Sequence, residues 1–127
     1  MNTYGVGIDI VEIARIDDLI KRYGERFLNR VFTPGEIAYC LKKVTSPQSF
    51  AARFAAKEAI FKATGIGVNL GIHWKDVEVL NDKWGKPIVH LTGKTAQLLK
   101  DKHISISLSH TDTIATAMVV IDENGKK

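Results

Sequence analysis

One cysteine, three prolines and no long apolar run leave this 127-residue sequence without several features that would place it quickly. With Cys40 alone, no intrachain disulfide can hold the fold, which suits a reducing cytoplasm; Cys40 itself reads as a small buried apolar residue. No stretch approaches the roughly 18 apolar residues of a membrane helix. The N-terminus, MNTYGVGIDIVEI, carries neither the basic leader nor the cleavage site of a signal peptide. Zinc-ligand spacing is missing too: His73, His90, His103 and His110 are scattered, and no second cysteine joins them. Two glycine patterns also fail. Gly93-Lys94-Thr95 mimics the end of a phosphate-binding loop, but Ile88 stands where its first glycine belongs; Gly65, Gly67 and Gly71 miss a dinucleotide fingerprint because Leu70 occupies the third glycine position.

What is present is an ordinary folded composition, 45% hydrophobic and 25% charged. No repeat, low-complexity tract or linker divides it, so residues 1–127 read as a single domain. The formal charge of +4 favours an anionic partner without naming one.

Residues 5–12, GVGIDIVE, alternate as a strand does. Ile13, Ile16, Ile20, Tyr23 and Phe27 then recur at helical spacing, interrupted at Gly24. Thr33-Pro34-Gly35-Glu36 is a capping box opening a helix to about Lys43. Ser46-Pro47 opens a longer helix that Gly65 closes after Thr64. VEVL and IVHL read as a hairpin turning through NDKWGKP, with Trp74 and Trp84 as packing residues. A short helix over about Thr95–Lys102 and the pair ISISLS and IATAMVVI complete the chain. The sum is an α+β domain, an antiparallel sheet packed against helices.

The informative residues are charges where apolar ones belong. In the helix of Phe50–Ala63, Glu58 and Lys62 lie beside Phe50, Phe54 and Phe61, with Ala51, Ala55 and Ala59 beyond, so almost no polar strip exists for them. A surface Glu–Lys pair is the plain alternative. Asp9 is equally out of place in VGIDIV, on the strand face of Gly7 and Val11. Two carboxylates on rigid elements with a lysine one turn away suit a magnesium ion holding a phosphate ester. Sequence spacing alone does not bring Asp9 to Glu58. Arg15, Arg22, Arg26 and Arg30, spaced seven, four and four, read either as a solvated face or as a docking strip, with Leu19 and Phe27 as apolar anchors.

Four blocks in order, GVGIDIVEIARI, RFAAKEAIFKATG, GKPIVHL and SLSHTDTIATAMVV, resemble the holo-[acyl-carrier-protein] synthase family over essentially the whole chain. This is the small bacterial branch of the 4'-phosphopantetheinyl transferase superfamily. The resemblance implies that fold and a transfer of phosphopantetheine from coenzyme A to a serine of acyl carrier protein, releasing adenosine 3',5'-bisphosphate in support of fatty acid biosynthesis. It implies magnesium held by Asp9 and Glu58, Lys62 near the phosphates and the attacking hydroxyl, His110 on coenzyme A phosphate, and phosphate binding by Arg53 of the glutamate block. It also implies a cytoplasmic homotrimer with the active site between subunits. Arg15, Arg22, Arg26 and Phe27 are then candidates for docking the acidic carrier. The base that takes the serine proton stays open between Glu58, a water and Lys62, with water or carboxylate favoured and Lys62 electrostatic. A basic nucleic-acid-binding module is the reading from another class, but the arginine strip has few interleaved aromatics. A coenzyme A-binding regulator without chemistry is disfavoured by the intact Asp9, Glu58 and Lys62.

Overall fold

The computed structural model describes residues 2–65 and 73–123. In chain order these form β1 (Thr3–Glu12), α1 (Ile13–Tyr23), α2 (Glu25–Val31), α3 (Pro34–Leu41), α4 (Ser46–Thr64), β2 (Val77–Asn81), β3 (Pro87–Leu91), α5 (Gly93–Leu98), β4 (His103–His110) and β5 (Ile114–Asp122). A 3₁₀ turn at Trp74–Asp76 precedes β2. The interruption expected at Gly24 splits α1 from α2, and the capping box of Thr33 and Glu36 is formed. Helices α3 and α5 end earlier than the sequence pattern suggests, and Gly65 caps α4 in the left-handed conformation. The glycine-spaced stretch at 66–72 lies outside the described residues.

The strands are antiparallel, as expected, and divide into two sheets: β1-β5-β4 and the hairpin β2-β3. On the free edge of β2, side chains stand where another strand could pair. Lys57 Nζ donates to the Val77 carbonyl, Arg53 Nε donates to the Val79 carbonyl at 3.1 Å, and the Val79 N–H donates to Glu36 Oε2 at 2.6 Å. Side chains thus satisfy the groups that a neighbouring strand would otherwise pair.

Helix α4 is the hub, buried on nearly every side between the three-stranded sheet, α1, α3 and β2. Its run of alanines permits this: Ala51, Ala55, Ala56 and Ala59 are fully covered. The seat on β1 inverts the obvious reading of that strand. Val6, Ile8 and Ile10 face outward at 57–65% exposure, while Gly7 and Val11 face α4 with Asp9. Glycine makes the difference. A Cβ on Gly7 would lie 1.9 Å from the Ala59 carbonyl oxygen, and one on Gly5 would lie 1.9 Å from that of Ala63. The helix backbone therefore rests directly on the strand. The space left by Gly7 admits not a ligand but α4 itself.

Candidate functional site

That close seat carries α4's polar residues to β1. Lys62 Nζ reaches Asp9 Oδ1 at 2.8 Å and the Ile8 carbonyl at 3.2 Å. Asp9 is largely enclosed, its side chain 13% exposed, while that of Lys62 is 54% exposed and open to a ligand. Glu58 lies one turn before Lys62, half-buried beside the same aspartate. Burial first and the Asp9 charge second raise the Glu58 pKa, with Lys62 and Arg15 pulling the other way. The hydrogen bond that Lys62 donates to Asp9, reinforced by the Asp9 charge, raises the Lys62 pKa and favours the cation.

Two carboxylates that repel each other, close to an open surface, form a set that a divalent cation would relieve. Among the described residues no group of three His, Cys, Asp or Glu side chains gathers to close around a metal alone. A pair fits magnesium, which takes one or two protein carboxylates and leaves its other positions to water and phosphate oxygens. It does not fit a closed zinc site.

The other residues singled out from the sequence are distributed unevenly. His110 is exposed at the end of β4 and shares a row with Ala115 and Val11, so it stands on the Asp9 face two strands across, about 10 Å by strand spacing. Its Nδ1 lies 3.2 Å from the Thr111 carbonyl. Arg53 is the correction. It is 4% exposed, its guanidinium engages Val79, Ser49 and Asn81, and its plane lies over Tyr39, so it braces β2 and is not offered to a phosphate.

The arginine strip also divides. Arg15 turns toward α4, its guanidinium 6.0 Å from the Phe54 ring, and its charge is felt by Glu58. Arg22 pairs with Asp18 at 3.5 Å on an exposed surface. Arg26 and Phe27, with Leu19, Tyr23 and Arg30, line a hollow of about 290 Å³ between α1 and α2. A roomier cleft of about 710 Å³ lies between β3 and β4 and contains none of Asp9, Glu58 and Lys62. The catalytic candidates sit on open surface instead.

Trp74 packs as expected, stacked on Phe54 with ring centroids 5.2 Å apart, but Trp84 does not: it is 81% exposed at the hairpin tip. Sequence reasoning missed the fully buried pair of Lys57 and Glu36, 2.8 Å apart. Desolvation lowers the Lys57 pKa and Glu36 pushes it back up. The capping box gives Glu36 a sufficient reason to be there, which hides its second partner.

Comparison with known proteins fits this geometry. The family profile described as the 4'-phosphopantetheinyl transferase superfamily matches residues 5–118. A holo-[acyl-carrier-protein] synthase of Protochlamydia amoebophila is 51% identical over 118 residues, 93% of this chain and 97% of that protein. Among solved structures, a holo-(acyl-carrier-protein) synthase from Bacillus anthracis in complex with CoA (3',5'-ADP) is 32% identical. It superposes with a TM-score of 0.82 over 98% of this chain and 100% of the other. The enzyme from Neisseria meningitidis is 31% identical, with a TM-score of 0.86 over 95% and 99% of the two chains. From residue 5 to residue 118, and through the elements that carry Asp9, Glu58 and Lys62, the chain belongs to the holo-[acyl-carrier-protein] synthases of the 4'-phosphopantetheinyl transferase superfamily.

Proposed function

We propose that residues 1–127 act as one transferase domain, which moves phosphopantetheine from coenzyme A to a serine of apo acyl carrier protein and releases adenosine 3',5'-bisphosphate. The observation that carries the mechanism is the meeting of Asp9 and Lys62 across β1 and α4, with Glu58 beside them. Magnesium held by Asp9 and Glu58 would neutralise the diphosphate oxygens as charge develops on them. The serine oxygen attacks the β-phosphorus, and the bond from that phosphorus to the bridging oxygen breaks. Lys62, whose pKa the Asp9 contact raises, attracts the phosphates as a cation and is disfavoured as the base. The serine proton goes to a water or to the Glu58 carboxylate. His110, exposed on the same sheet face, is placed to meet a more distant phosphate of coenzyme A.

The open placement of these residues supports a site completed by a second copy. Val6, Ile8 and Ile10 on β1 and Met118 on β5 make an exposed apolar sheet face suited to a homotrimer interface. Ile8→Asp is expected to convert trimers to monomers in light scattering and to lower transfer at least ~10-fold, because a charge is costly in a buried interface. A trimer that survives the change would locate the interface elsewhere.

The carrier is acidic, and the hollow of Arg26, Phe27 and Arg30 offers it cations around an apolar centre. Arg26→Glu should raise the KM for carrier protein about 10-fold with kcat nearly unchanged, and should flatten the dependence on salt. Arg22→Glu should do less, because Asp18 already occupies Arg22. Initial rates against carrier concentration at two ionic strengths check both. No helix among the described residues is long and apolar enough to cross a membrane.

The deciding experiment is mass spectrometry of apo carrier protein incubated with coenzyme A, Mg²⁺ and this protein. One phosphopantetheine should be added per carrier. Folded protein that leaves the carrier mass unchanged would turn the assignment toward a binding module.

A further inference from the structure

Three successive residues of α4 face three different structures. Ala59 rests on Gly7 of β1, Glu58 points to the Asp9 surface, and Lys57 runs the other way into the interior. The Lys57 ammonium is fully buried, and its hydrogen-bond partners come from two directions: the carbonyls of Trp74 and Val77, and Glu36 Oε1. Glu36 is equally buried and equally occupied. Oε1 also accepts from the Thr33 N–H at 2.9 Å, and Oε2 accepts from the Val79 N–H. No buried polar side-chain atom among the described residues lacks a partner.

A buried ion pair of this kind contributes little net stability, since the cost of desolvating both groups offsets their attraction. Its distinctive property is geometric. An apolar side chain at position 57 would pack acceptably in several small rotations and shifts of α4. An ammonium hydrogen-bonded to α3, to the 3₁₀ turn and to β2 accepts only one. The glycine seat limits how far α4 stands from β1, and across that seam the helix is tied by the half-exposed Lys62 to Asp9 and the Ile8 carbonyl. Lys57 adds a fully buried constraint on the opposite side, one residue from Glu58.

We infer that Lys57, held by Glu36 and the carbonyls of Trp74 and Val77, is a positioning residue: it fixes the rotation and register of α4, so that Glu58 faces Asp9 at the spacing one cation can bridge. The inference rests on the transferase reading and on Asp9 and Glu58 as cation ligands. It separates Lys57 from Arg53, which caps the same strand edge one turn earlier and serves the hairpin.

The test compares Lys57→Met with Thr95→Val, a buried change at the Asp76–Thr95 contact, which touches the 3₁₀ turn but leaves the Lys57 hydrogen bonds in place. Both variants are checked for fold and thermal midpoint, then titrated with Mn²⁺ in the presence of coenzyme A, with free Mn²⁺ read by electron paramagnetic resonance. Lys57→Met should raise the Mn²⁺ dissociation constant ~10-fold and raise the Mg²⁺ needed for half-maximal transfer in parallel, with the KM for carrier protein unchanged. Thr95→Val should keep wild-type cation binding even if it melts lower. Where Lys57→Met does not fold, Glu36→Gln decides: it keeps the volume and removes one charge, and it should shift cation binding the same way by a few fold. A folded variant of the pair with wild-type Mn²⁺ affinity overturns the inference. Wild-type protein that transfers nothing in the same assay would instead sink the transferase reading, so the two failures are distinguishable.

Discussion

Glu58→Gln lowers kcat/KM for transfer by roughly 10³-fold while leaving a protein at least as stable as the wild type. Both halves follow from one geometry. The carboxylate is held half-buried beside Asp9, where desolvation and like charge disfavour its ionised form. Removing the charge removes that penalty and the proposed cation ligand together, so activity should fall as the fold is relieved. The pH dependence has a definite sign. The ordinary Glu58 value is 4.5, and the folded value is raised above it, so between the two the folded state binds more protons than the unfolded one. In metal-free protein the Glu58 contribution to stability is fully present below 4.5 and is lost as pH rises through the raised folded value. Magnesium bound at the proposed pair would relieve the same repulsion, so it should raise the thermal midpoint more at neutral pH than at pH ~4. Glu58→Gln should show neither the slope nor the magnesium increment. Thermal scans across pH with and without Mg²⁺, paired with transfer rates, measure this. A variant with near-normal turnover would remove Glu58 from the mechanism.

Gly7→Ala should be among the most damaging substitutions outside the charged residues. The added carbon would meet the Ala59 carbonyl oxygen at 1.9 Å, its carbon at 2.8 Å and the Ala63 nitrogen at 3.1 Å. These are backbone atoms of a central helix, so no rotamer change gives relief. Helix α4 must lift from β1 by more than an ångström. We expect a loss of about 3 kcal/mol in stability, at the upper end for overpacking. In whatever folded protein remains, transfer should fall about 10²-fold, because Asp9 and Glu58 move apart. Urea unfolding gives the first value and rates normalised to folded protein give the second. A Gly7→Ala protein with wild-type midpoint and rate would mean that α4 does not rest on β1 through this glycine.

How much of this was legible in the sequence depended on whether a signal was local. Capping at Thr33 and Glu36, the break at Gly24 and the stop at Gly65 involve neighbours a few residues apart, and each was readable. Charges inside the alanine-rich helix marked Glu58 and Lys62 because their surroundings are written in the same segment. Which face of β1 turns inward was not readable, because Val6, Ile8 and Ile10 look like core and instead face outward, while Gly7 and Val11 face α4. The edge of β2 was hidden for a related reason. Its partners are Glu36, Arg53 and Lys57, side chains 26 residues or more away in the case of Arg53 and Glu36, and no strand pattern announces a strand that is missing. Arg53 was misread on that account. Beside the glutamate block it looked like a phosphate ligand, and it is a strap on β2.

The most direct measurement is a crystal of the protein with coenzyme A and Mn²⁺, located by anomalous scattering. A single manganese peak should lie between the carboxylates of Asp9 and Glu58 and contact diphosphate oxygens, with Lys62 on the phosphate side. A diphosphate bound away from β1 and α4, or a metal touching neither carboxylate, would contradict the mechanism at its root.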